Sequence, residues 1–198
     1  MAGKGELMWT PPESFRRSSG MARYMAWLEA SRGLHFDTYD ELWAWSIGDL
    51  PAFWESIWQY FGVRSPTPYE CVLRDPHMPG ARWFPGAHVN YAEHLLAVGD
   101  DDEVAVHAAG ERVPLHGITR GDLRRQVFRC ATGLRELGVQ PGDRVAAYVA
   151  NVPEALVAFL ATTSIGAVWS SCSPDFGAST VIDRFKQIEP VLLFATDG

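Results

Sequence analysis

The chain has 198 residues, 47% hydrophobic and 21% charged, with a formal net charge of −7. These are globular proportions, and the length suits one ordinary domain with a core, or one domain plus a small appendage. They exclude several classes of protein. The acidic balance and the lack of a basic patch speak against nucleic-acid binding; Arg120, Arg124, Arg125 and Arg129 fall on one outer face of a helix and read as a solvated face. Cys71, Cys130 and Cys172 are too scattered for a disulfide framework or a zinc knuckle, and none of the six histidines forms a His-Glu-x-x-His pair.

The first residues, MAGKGELMWTPPESF, hold no apolar segment of the secretory type. Residues 155–169, the longest apolar run, are too few and too rich in Thr, Ser and Gly for a membrane span. The expected compartment is the cytoplasm, away from membranes. Seven of the eight tryptophans precede Phe84, so the early part of the chain differs in character from the rest.

Up to Gly62 the pattern predicts short helices. The first has Ser18 or Ser19 as N-cap and Gly33 as its stop. In the second, Thr38 and Glu41 form a capping box. The third has Asp49 as cap, Pro51 in its first turn and Gly62 beyond its last. Leu50, Phe53, Trp54, Ile57, Trp58 and Phe61 share one stripe of this third helix and need a surface to pack on. Residues 63–89 carry five prolines and read as an irregular, extended wrap. Asn90 and Glu93 then cap a short helix.

From residue 103 the pattern changes. EVAVHAAGERVPLH predicts a hairpin turning at Gly110. A long helix runs from Thr119 and Asp122 to Leu137, followed by a strand in DRVAAYVAN. Asn151 and Glu154 are expected to cap a helix reaching Ser164. AVWSSC is a second strand, GASTVIDRFKQIE a helix stopped by Pro190, and VLLFAT a third strand. Apolar strands alternating with helices mean a parallel sheet covered on both faces, whose ligands bind beyond the carboxyl ends of the strands. SSCSPDFG and ATDG both lie there.

Asp175-Phe176-Gly177 is the triplet that holds magnesium in protein kinases. The other kinase parts are missing: there is no His-Arg-Asp and no glycine loop, and the only lysines are Lys4 and Lys186. A Walker loop and a Gly-x-Ser-x-Gly elbow are absent as well.

The run LRELGVQPGDRVAAYVANVPEALVAFLATTSIGAVWSS resembles the early part of the adenylate-forming, AMP-binding ligases. Its pieces are Leu-Gly-Val ending a helix, Pro-Gly-Asp-Arg-Val opening a strand, Asn-x-Pro-Glu opening a helix and Ile-Gly-Ala-Val entering the next strand. AFWESIWQYFGV and HVNYAEHLL resemble the N-terminal segment of the acetyl-CoA synthetase group. WSSCSPDFG with DRFKQIEPVLLF is most similar to the acetoacetate-activating branch of that group. The resemblance implies an α/β fold in which an N-terminal helical, Pro-rich appendage (1–98) precedes the first βα units of a mostly parallel sheet, the start of the AMP-binding large domain (99–198).

It also implies a two-step ligase using ATP, Mg2+ and CoA on a small-molecule substrate, acetoacetate or a similar short acyl acid. The family's Ser/Thr/Gly-rich loop ending in Pro-Lys does not occur in these residues. The expectation is therefore an N-terminal part of the enzyme, inactive alone, whose sheet ends after a third strand with an unpaired edge. In acetyl-CoA synthetases the loop matching residues 170–177 carries Gly-Gly-Phe beside the CoA path. Here Pro174 and Asp175 stand at the two glycines and Phe176 at the Phe. That makes Ser173, Asp175, Phe176 and Gly177 the candidate CoA-path residues, and leaves Asp175 an alternative role as N-cap of the next helix. Trp169 reads as a core ring. The contrasting functional class is a non-catalytic α/β module that binds a nucleotide or a partner chain.

Overall fold

Local capping chemistry starts the first helices of the computed structural model, which describes residues 5, 8–111 and 113–196. After α1 (Glu13–Ser18), Ser19 accepts a hydrogen bond from the Ala22 amide and opens α2 (Gly20–Arg32). Gly33, at φ 66°, closes α2 in the left-handed region that suits glycine. Thr38 and Glu41 form the expected capping box of α3 (Tyr39–Gly48), and Asp49 caps α4 (Leu50–Tyr60). Within the Pro-rich stretch a two-residue antiparallel ladder joins β1 (Leu73–Arg74) to β2 (Arg82–Trp83). Neither α1 nor this ladder was expected. Both are short, and their sequences carry no periodicity to announce them.

Asn90 caps α5 (Tyr91–Leu96), and its amide also donates to Thr163 O at 2.8 Å. The hairpin of β3 (Val104–Gly110) and β4 (Val113–Thr119) leads into α6 (Arg120–Glu136), capped by Thr119. Then come β5 (Arg144–Tyr148), α7 (Pro153–Ser164), β6 (Val168–Cys172), α8 (Ala178–Ile188) and β7 (Leu192–Ala195). The last three strands form a parallel sheet in the order β6-β5-β7, with Tyr148 of the central strand in register with Cys172 and Ala195. This is the mixed α/β architecture expected: a helical first part followed by a partial parallel sheet.

Two compact units part between His88 and Val89. In the first, Tyr24, Leu28 and Leu42 are buried among Trp27, Trp45, Phe53, Ile57 and Tyr60. The apolar stripe of α4 is divided. Phe53 and Ile57 pack on that core and the Trp58 ring lies tilted against Phe84 with centroids 4.6 Å apart, whereas Leu50, Trp54 and Phe61 stay exposed. The most buried residue of α4 is Ser56, which meets the Tyr24 hydroxyl.

The second unit packs α6 and α7 on the sheet through Leu123, Val127, Leu134, Val145, Leu160 and Ala161. Arg124 departs from the solvated-face reading: its guanidinium is half-buried and donates to Leu96 O, Val98 O and Gly99 O at 2.7–2.9 Å, tying down the chain that leaves α5. Asn151 is not the cap of α7. Pro153 forces the residue before it into extended geometry, so Val152 (φ −124°, ψ 158°) takes the N-cap place and no side chain caps it.

Candidate functional site

The carboxyl ends of β5, β6 and β7 are where a parallel sheet presents its ligand sites, and residues 173–177 cross this end between β6 and α8. Of the stretch matched to the family loop, Ser170, Ser171 and Cys172 belong to β6, as the strand expected over AVWSSC requires, and the loop itself begins at Ser173. The loop is closed by its own bonds. Ser173 Oγ donates to Asp175 Oδ2 at 2.7 Å and accepts from the Asp175 amide at 3.3 Å, and the Phe176 amide donates to Ser173 O at 3.1 Å. Asp175 thus spends its carboxylate on Ser173 and does not cap α8. Gly177 holds the N-cap place, without a side-chain bond. Of the candidates, Ser173, Asp175 and Phe176 are joined in this turn, and Gly177 connects it to α8.

Two further residues hold the loop, and sequence reasoning assigned neither of them a role. The Tyr148 hydroxyl, at the end of the central strand, lies 2.9 Å from Pro174 O and 3.0 Å from Phe176 O. The Arg184 guanidinium of α8 sits 4.6 Å from the centroid of the Phe176 ring, a cation–π distance. The signal for Tyr148 was present: it is the polar-tipped ring that ends the aliphatic run Val-Ala-Ala of the strand Arg-Val-Ala-Ala-Tyr. Its partners, 26 and 28 residues away, could not be read from that.

Beside the loop lies a hollow of about 390 Å³ bordered by Asn151, Val152, Ala155, Trp169 and Ser173. A second, of about 560 Å³, runs along Val149, Val152, Trp169, Phe194 and Thr196. Trp169 borders both, and its ring also packs near Phe159 and Phe194 at 6.2 and 6.1 Å. Both hollows are lined by more apolar than polar surface, with Asn151, Ser171, Ser173 and Thr196 among the polar groups. Asp197 and Gly198 of the ATDG stretch lie outside the described residues. Among the described residues no group of three His, Cys, Asp or Glu side chains could hold a metal ion. No helix among them is long and apolar enough to cross a membrane.

Comparison with known proteins gives two family matches. Residues 97–198 match the AMP-binding enzyme family and residues 39–95 the acetyl-coenzyme A synthetase N-terminus. An acetoacetyl-CoA synthetase of Danio rerio is 38% identical over 197 residues, 97% of this chain and 29% of the relative. A malonamoyl-CoA synthetase of Penicillium aethiopicum is 40% identical over 203 residues, 99% of this chain and 28% of the relative. The solved acetoacetyl-CoA synthetase of Streptomyces lividans superposes with a TM-score of 0.90 at 47% identity, over 96% of this chain and 30% of that one. The chain therefore spans somewhat under a third of the length of these relatives.

Proposed function

Since the chain belongs to the AMP-binding enzyme family, we propose that it is the opening portion of an acyl-CoA ligase that joins a short 3-oxo acid, acetoacetate first, to coenzyme A. The observation that carries this reading is the agreement with the Streptomyces lividans acetoacetyl-CoA synthetase across nearly the whole chain, appendage included. The Penicillium relative sharpens the acid class. Acetoacetate and malonamate share a carboxylate with a carbonyl two carbons away, and differ only in a methyl or an amino group on that carbonyl. On this reading residues 1–98 form the appendage and 99–198 begin the large domain.

The chemistry follows from the carboxylate. Its negative charge repels a thiolate, and oxide cannot leave. A carboxylate oxygen attacks the α-phosphorus of ATP, expelling pyrophosphate and giving a mixed anhydride. The CoA sulfur then attacks the acyl carbon, the thiol proton is lost, and AMP departs with the former carboxylate oxygen. The developing charge of the first step needs phosphate-binding donors and a cation. A Ser/Thr/Gly-rich loop ending in Pro-Lys does not occur in these 198 residues, and on this reading the phosphate-binding donors of the first step come from another part of the enzyme. The assigned share of this chain is the thiol half: Ser173, Asp175, Phe176 and Gly177 border the CoA path at the strand ends.

The test replaces the matching 30% of the Streptomyces lividans enzyme with this chain and assays thioester formation from acetoacetate, malonamate and acetate. Activity with the two 3-oxo acids above acetate is expected. A folded chimera inert with all three, beside an active parent, refutes the ligase reading. It would favour a binding module that needs no catalysis, and retention of a nucleotide by the chain alone would identify that class.

A further inference from the structure

We propose that Tyr148 is a positioning residue for the thiol half-reaction, its hydroxyl fixing residues 173–177 and the Phe176 ring beside the CoA path; the proposal rests on the ligase reading above. The phenol has one proton to donate, and two carbonyls, Pro174 O and Phe176 O, converge on it at 2.9 and 3.0 Å. Only a loop doubled back on itself brings carbonyls two residues apart to one donor, so the bond selects a single loop shape. Of the loop's other polar contacts, Ser173 with Asp175 and the Phe176 amide with Ser173 O are internal, and Gly177 O accepts from the Val181 amide in the first turn of α8 at 3.2 Å. The internal bonds close the turn without saying where it stands. Tyr148 does say where, because its backbone is held in register between Cys172 and Ala195 in the middle of the sheet.

Arg184 adds a hold from α8 through the Phe176 ring. Pro174 stiffens the segment further by fixing φ and offering no amide proton. A ring that must stay beside a substrate path is thus supported from a central strand and a helix, the rigid elements on which a site is held accurately.

The experiment has two readouts. In the 198-residue chain, Tyr148→Phe removes only the hydroxyl and is expected to speed amide hydrogen exchange at residues 175–178 while leaving Val145–Ala147 protected. In the chimera, the same change is expected to raise KM for CoA about three- to tenfold, the size of one lost hydrogen bond. The effect on acetoacetate-dependent ATP–pyrophosphate exchange should be smaller. Arg184→Gln should act in the same direction and less, and it keeps the question decidable if the Tyr148 variant misfolds. Unchanged loop exchange in both variants overturns the positioning role whatever the chimera does. A loosened loop with an unaltered KM for CoA overturns its link to the thiol half. A chimera inert before any substitution sinks the ligase reading and this role with it, while the exchange comparison still decides whether Tyr148 holds the loop.

Discussion

The two units hide apolar surface in different ways. The first uses rings. Tyr24, Trp27 and Tyr60 meet at centroid distances of 5.0–6.3 Å, and Trp45, Phe53 and Trp54 continue the series edge to face. Rings cover much area per residue on short helices, but they leave parts uncovered: Trp43 is 53% exposed and Phe61 59%. The second unit uses small aliphatic groups. Val145, Ala146 and Ala147 of β5 and Leu160 and Ala161 of α7 have no exposed surface, and Val145, Leu160 and Ala161 belong to one buried cluster. An aliphatic layer of this kind fixes the backbone of β5. That is why the one polar ring at its end, Tyr148, is placed firmly enough to hold a loop.

This contrast can be broken by mutation, and the largest effect is expected in the aliphatic unit. Leu160→Ala should cost about 2–5 kcal/mol, because a zero-exposure leucine leaves a cavity that close-packed neighbours cannot fill. The measure is a urea titration combined with amide exchange at Val145–Ala147, whose protection should fall with it. A loss under about 1 kcal/mol would mean that the layer relaxes and that its rigidity is overstated.

The ring-built unit should be more sensitive to a polar deletion. Ser56 donates to Phe53 O at 2.6 Å, so the Tyr24 hydroxyl must be the donor in the Tyr24–Ser56 bond. Burial pushes the Tyr24 phenol up from its ordinary value of 10.0, which keeps that proton in place. Ser56→Ala leaves a buried donor without an acceptor and should cost about 1–3 kcal/mol. Tryptophan fluorescence follows it selectively, since all but one of the indoles lie in this part of the chain. A neutral result would show that the hydroxyl finds another partner.

What the sequence disclosed follows the range of the interactions concerned. Caps depend on residues three apart, and Ser19, Thr38, Asp49, Asn90 and Thr119 all cap where expected. Asn151 misled because a proline beside it decided the backbone first. Asp175 misled because the nearer Ser173 hydroxyl occupies its carboxylate. The parallel sheet was legible from its apolar runs, although the pairing of β5 with both β6 and β7 was not. At the site, the loop's location came through and its fastening did not: the bonds from Tyr148 link residues that only the sheet brings together. Ser56 was invisible for a similar reason. A small polar residue on a ring-bearing helix is buried only because Tyr24, 32 positions away, lies over it.

Replacing a legible cap gives a smaller and better bounded effect. Thr38→Ala removes one half of the capping box that opens α3 and should cost about 1 kcal/mol, visible as a lower urea midpoint by tryptophan fluorescence. Glu41 also receives the Asp37 amide at 2.7 Å, so Glu41→Ala should cost at least as much as Thr38→Ala. The reverse order would mean that the threonine hydroxyl alone carries the cap.

The smallest expected effect lies just before that cap, where His35 bridges α2 to the approach of α3. Its ring nitrogens lie 3.1 Å from Asp37 and 3.0 Å from Glu29. The hydrogen bond to Asp37, then that to Glu29, raise its pKa from the ordinary 6.5. A raised folded pKa means that the folded state holds the proton more tightly than the unfolded chain does. The contribution is therefore complete below the unfolded value near 6.5 and fades as pH climbs through the higher folded value. All three groups are well exposed, so water and salt screen the pair. The wild-type urea midpoint should drop slightly from pH 6 toward pH 8, and His35→Gln should remove that part of the slope, with NMR placing the imidazole midpoint above 6.5. A midpoint at or below that value would show that the two carboxylates contact the ring without holding its proton, and would leave the α2–α3 junction to the capping box alone.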